Sequence, residues 1–129
     1  MKILLIAIGG GLGAAARFSL TSAIQSRPWS SPYAGTLIVN VLGCFAIGLL
    51  AQLFSGSWQV REEIRFALVI GLLGGFTTFS SYAFESLALF ESGERLAAIT
   101  NVVLSNVLGI LAAWGGFALA ARLFSSTAS

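Results

Sequence analysis

The sequence predicts an all-α membrane protein with four transmembrane helices per chain. Three observations lead there. Of the 129 residues, 57% are hydrophobic and only 9% charged, against about 25% charged in an ordinary soluble domain. Mean hydropathy is +0.91, which leaves too little polar surface to cover a globule in water. Long apolar stretches recur four times between short polar joints, the pattern of membrane-spanning helices. They lack the period of two that barrel strands would show.

The spans fall at about 3–24, 34–54, 64–90 and 98–124 and make one four-helix transmembrane domain over 1–129. Each has about 20 residues or more, the length that crosses roughly 30 Å of hydrocarbon. The joints are SRPWSSP (26–32), SGSWQVREE (55–63) and ESGER (91–95), and Trp29, Tyr33 and Trp58 stand at span ends, where amphipathic rings prefer to sit. The first stretch opens MKILLIAIGGGLGAAAR, and its apolar character continues through FSLTSAI. A first transmembrane helix is therefore expected in place of a cleaved leader. Gly9 with Gly13, and Gly71 with Gly75, form small-xxx-small pairs that allow helices to approach closely but specify no partner.

On the second span Thr36, Asn40 and Gly43 share one face at i, i+4 and i+7. An Asn amide donates two hydrogen bonds and accepts others. Asn40 fits two roles equally, an interhelical clamp or a donor to a small anion in a pore. The fourth span carries Asn101, Ser105 and Gly109 on a stripe with Asn106 beside it. Helix-packing glue is the favoured reading there, and a watery path is the other.

The third span holds the densest polar stretch, GGFTTFSSYAFE at 74–85, with two glycines, five hydroxyls and a carboxylate in twelve positions. Two glycines followed by two β-branched threonines weaken a helix, and hydroxyls compete for its backbone groups. A break is expected around 74–80. Irregular backbone at membrane depth survives where it is buried in protein or lines a cavity, and freed carbonyls there commonly hold a cation. Beyond the break Phe79 and Tyr82 share a face, and Thr78, Ser81 and Glu85 are spaced three and four apart. Ring edges carry partial positive charge and attract a passing anion; plain core packing is the other reading of the pair.

Charge narrows the function classes. The chain has no His and no Asp, and of its five acids only Glu85 lies well within a span. That excludes paired carboxylates, a Ser-His-Asp relay and His-ligated metal within one chain. Cys44 is the only cysteine, so no intrachain disulfide forms, and a small buried hydrophobe is its expected role. Arg17 and Glu85 are the ionised groups nearest span interiors, where charge is expensive and usually functional or paired. Lys2, Arg61, Arg65 and Arg122 fall on one side of the membrane, and Arg17, Arg27 and Arg95 on the other. Four against three does not set an orientation. Insertion both ways, with opposite copies pairing as an antiparallel dimer, is one account of the balance; a single dominant charge that sets one orientation is the other.

GGGLGAAARF, GTLIVNVLG and GLLGGFTTFSSYAFE resemble the fluoride channel family (Fluc, also called CrcB), and the likeness covers essentially the whole chain. The third-span motif is the specific one. The resemblance implies a passive fluoride exporter of the cytoplasmic (inner) membrane of a microbe, built as a dual-topology antiparallel homodimer with two pores. By the same resemblance, Asn40 is the pore asparagine and Phe79 the first of two pore phenylalanines. The second falls on Tyr82, a departure that keeps the ring and adds a hydroxyl. Thr78 and Ser81 match a polar track. Gly74 and Thr77 match the positions whose carbonyls, from both chains, hold a structural sodium ion at the dimer centre. Arg17 and Glu85 match the family's usual charged positions. A Ser that many members carry one turn after Asn106 is Ile110 here. The implied partners are fluoride, lipid and a second copy of the chain, with no nucleic acid and no enzymatic activity.

Three rivals follow from the same residues. A small multidrug exporter needs a carboxylate deep in the first span, where this chain has Arg17 and no acid before Glu62. A proton-coupled fluoride antiporter would have to use Glu85. A packing protein without transport would keep Asn40 for stability alone.

Overall fold

The computed structural model describes residues 1–56 and 58–124, and every regular element among them is helical. Helix α1 is Lys2–Gln25 and α2 is Ala34–Ser55. The third apolar stretch is assembled from α3 (Glu62–Phe66), a π-helical segment (Ala67–Leu73), the single turn α4 (Gly74–Phe76) and α5 (Phe79–Glu91). Helix α6 is Arg95–Phe124. Four stretches are long and apolar enough to cross a membrane: Lys2–Gln25, Ala34–Ser55, Glu62–Glu91 and Arg95–Phe124.

Local chemistry sets the joints. Pro28 and Pro32 lack the N–H that would continue α1. After α5, Gly93 takes a φ of 85°, the left-handed value that glycine adopts without a Cβ clash. Glu94 N–H then bonds the Leu89 carbonyl at 2.9 Å and Gly93 N–H the Phe90 carbonyl at 3.1 Å, a Schellman closure that satisfies carbonyls at the helix end.

Successive spans alternate in direction. Helix α1 lies parallel to the first half of the third span, with Lys2 Nζ bonded to Glu62 at 3.0 Å near their starts. The two glycine pairs legible in the sequence meet each other here. A methyl on Gly13 would strike the Leu72 carbonyl oxygen and Phe76 N, and one on Gly75 the Gly10 carbonyl oxygen. Helices α2 and α6 are held in the same way, because a Cβ on Gly48 would meet the Ala113 carbonyl and one on Gly116 the Phe45 carbonyl.

The interior is correspondingly small-sided, with Val39, Leu53, Leu89, Ala98 and Ala120 buried. Large side chains such as Ile3, Phe18, Ile110 and Trp114 face outward, as suits a lipid solvent that attracts apolar groups as well as a core does. Cohesion there comes from close backbone packing and interhelical hydrogen bonds.

Candidate functional site

Between α4 and α5 the backbone is extended for two residues, with φ/ψ of −88/157° at Thr77 and −150/115° at Thr78. Thr77 N–H still reaches the Leu73 carbonyl at 2.9 Å. Thr78 N–H instead donates to Asn40 Oδ1 at 2.8 Å, while Asn40 Nδ2 donates back to the Thr78 carbonyl at 2.9 Å. The amide thus pairs with a peptide as a neighbouring strand would. Thr78 is only 8% exposed, so without Asn40 both backbone groups would lose their partners away from water. The Thr78 hydroxyl caps α5 by accepting from Ser81 N–H at 3.2 Å and donates to Ser81 Oγ at 3.1 Å. Arg17 Nη1 donates to the Thr77 carbonyl at 3.3 Å, fastening the step from the side of α1.

The polar face of α2 runs antiparallel along this segment. Gly43 lies against the Thr77 methyl, Asn40 against Thr78, and Thr36 donates from Oγ1 to Glu85 Oε1 at 2.5 Å. Glu85 Oε2 is buried with no hydrogen-bond partner among the described residues. Arg17 and Glu85 line one cleft, yet no ion pair joins them among the described residues.

Two cavities flank the step, and Thr78 borders both. The larger, about 360 Å³, is bounded by Asn40, Gly74, Thr77, Thr78, Phe79 and Tyr82, with Cys44, Ser105 and Asn106 completing its polar margin. No Asp, Glu, Lys or Arg is among its lining residues. The smaller, about 280 Å³, holds Arg17, Thr21, Thr36, Ser81 and Glu85. Of the positions singled out from sequence, Asn40, Gly74, Thr77, Thr78, Phe79 and Tyr82 share one cavity. Ser81, Arg17 and Glu85 share the other.

The Phe79 and Tyr82 rings lie 5.2 Å apart at 60°, an arrangement that turns ring edges toward neighbours. In the single chain Phe79 is 78% exposed. Helix α6 divides its polar residues between two tasks. Asn101, 1% exposed, donates to Ser86 Oγ at 3.0 Å and accepts from Ser105 Oγ at 3.1 Å, while Ser86 donates to the Tyr82 carbonyl at 2.9 Å. That chain binds α6 to α5. Asn106 faces the larger cavity and donates to the Tyr82 hydroxyl at 3.2 Å. Two partners stood outside the sequence reading of the site. Helical period puts Thr36 on a face with Asn40 but names no carboxylate for it, and puts Asn106 beside the α6 stripe without naming Tyr82. For Thr36 the only signal is the antiparallel direction of α2, which carries it from Asn40 toward the Glu85 end of the third span; nothing in the sequence points Asn106 to Tyr82.

Comparison with known proteins places residues 4–117 in the family described as "CrcB-like protein, Camphor Resistance (CrcB)". The chain is 48% identical over 122 residues to the fluoride-specific ion channel FluC of Solibacter usitatus, covering 95% of this chain and all of the relative. It is 42% identical over 118 residues to the FluC of Desulforapulum autotrophicum, covering 92% and 94% of the two chains. With the FluC of Geobacter sulfurreducens it shares 39% identity over 126 residues, 94% of this chain and 98% of the other.

Proposed function

This chain belongs to the CrcB-like family, and from that membership we propose that it is a fluoride channel of the cell membrane. The observation that carries the reading is the larger cavity, whose polar margin offers amide and hydroxyl donors and no Asp, Glu, Lys or Arg. Fluoride is small and holds its water tightly, so it sheds that water only where several donors replace it. One N–H of Asn40 is committed to Thr78, and the other remains to face an anion. The Tyr82 hydroxyl and the Phe79 ring edge add neutral attraction, while the Thr78 hydroxyl, whose proton goes to Ser81 Oγ, holds the wall in shape. Neutral donors permit departure as well as binding, which conduction requires. Ser81, with Arg17 and Glu85, serves as a vestibule beside the path, where the guanidinium draws anions inward.

In our reading the third span is broken at Thr77–Thr78, and two copies pair antiparallel to give two pores. The balanced Lys/Arg distribution supports insertion in both senses. The exposure of Phe79 in one chain supports a second copy completing the wall. A structural sodium ion at the dimer centre fits the donor set. Thr78 N–H is given to Asn40 and so is withdrawn from the Gly74 carbonyl, its helical partner. The Thr77 carbonyl holds Arg17 on one side and keeps a second lone pair. Both residues border the same cavity, and oxygen-only carbonyls suit a hard monovalent cation. Gly74 and Thr77 from each copy would hold it, and it would supply charge that draws the two copies together.

Fluoride and chloride efflux from liposomes under an imposed voltage tests the function. Rapid fluoride release with negligible chloride release is expected. Folded protein that releases neither ion would refute it.

A further inference from the structure

The Asn106 amide makes two contacts through the same nitrogen. Nδ2 donates to the Val102 carbonyl at 2.8 Å and lies 3.2 Å from the Tyr82 hydroxyl. A backbone carbonyl only accepts, so the group facing it must be the NH2 end of the amide. That fixes the flip. The second hydrogen of the same NH2 points to Tyr82 Oη, which accepts it. An amide nitrogen cannot accept in return. The phenolic proton therefore cannot go to Asn106. Tyr82 borders the larger cavity together with Asn40 and Thr78, and its ring is held against Phe79.

We infer that Asn106 is a positioning residue that turns the Tyr82 O–H proton into the larger cavity, so that Tyr82 serves as an anion donor through its hydroxyl. The inference rests on the channel reading above. It assigns chemistry to two side chains that act as a unit, the hydroxyl touching the anion and the amide acting only through it. Receiving one hydrogen bond polarises the phenol and strengthens the bond that it donates. A charge-assisted hydrogen bond to fluoride is the strong kind, and losing one corresponds to a change of about tenfold or more in local affinity.

The test is a double-mutant cycle read as fluoride efflux from liposomes at low fluoride, with wild type, Tyr82→Phe, Asn106→Leu and the pair. Tyr82→Phe should slow efflux by about tenfold. Asn106→Leu should slow it several-fold in the wild-type background and produce no further loss on top of Tyr82→Phe. Each variant is checked for a monodisperse elution profile, and Asn106→Ser replaces Asn106→Leu if the larger change prevents folding. Equal fractional losses from Asn106→Leu in both backgrounds would overturn the inference, because a merely structural asparagine acts whether or not the hydroxyl is present. Unchanged efflux in Tyr82→Phe would overturn it too. Wild-type protein that passes no fluoride would overturn the channel reading itself, and this inference with it.

Discussion

Replacing Asn40 with Leu, close in volume but without an amide, tests how much the paired contact with Thr78 contributes. The change removes bonds of 2.8 and 2.9 Å and strands an N–H and a C=O on a residue 8% exposed. Each stranded group costs about 1–3 kcal/mol. Hydrogen bonds measured inside membranes average about 0.6 kcal/mol, which argues for the lower part of that range. We expect a loss of about 2–4 kcal/mol in total. Reversible unfolding in mixed detergent micelles, followed by tryptophan fluorescence, gives the numbers. Asn40→Leu protein within about 0.5 kcal/mol of wild type, the usual range for an inconsequential substitution, would refute the argument that this amide holds the extended step in place.

Other substitutions probe separate features. Gly13→Val should destabilise the chain by about 1–3 kcal/mol through overpacking, because its Cβ meets the backbone of Leu72 and Phe76; Gly11→Val, with open space around it, should not, and thermal melting separates them. Glu85→Gln should leave downhill fluoride release intact with no accompanying proton flux, read with an internal pH dye; coupled proton movement in wild type that the variant loses would favour an antiporter. Lys2→Ala should change stability by less than about 1 kcal/mol, since both partners of Glu62–Lys2 are largely exposed. Exchanging sodium for a bulky organic cation should weaken self-association, measured by single-molecule subunit counting in bilayers; an unchanged dimer fraction would remove the central cation from the proposal.

Composition alone marked the four apolar spans, because nothing else satisfies 57% hydrophobic residues in long uninterrupted runs. Close helix approach was legible at Gly9, Gly13, Gly71 and Gly75. That these two pairs face each other was not, since a missing side chain permits contact without choosing a neighbour. The polar face of α2 was readable from helical period. Its partners were not, because a side-chain-to-backbone bond such as Asn40 to Thr78 leaves no complementary residue type to look for. Thr36 and Glu85 form the readable kind of pair, donor and carboxylate, yet only the antiparallel register brings them together. Asn106 and Asn101 look alike in sequence and lie five positions apart on α6, about 140° around the helix at 3.6 residues per turn. That rotation sends one to Ser86 and the other to Tyr82.

The two extended residues also divide the third span mechanically. Before them the span is locked by bare backbone contact to α1; after them it is tied through Ser86 and Tyr82 to α6. Thr77–Thr78 is also held from two flanks, by Arg17 of α1 on one and by Asn40 of α2 on the other. A displacement of α1 is delivered to the carbonyls of Gly74 and Thr77, and a displacement of α6 to the rings of Phe79 and Tyr82. The carbonyl end of the larger cavity thus borders the α1 contacts and its aromatic end the α6 contacts, so substitutions on the two helices reach different parts of its wall.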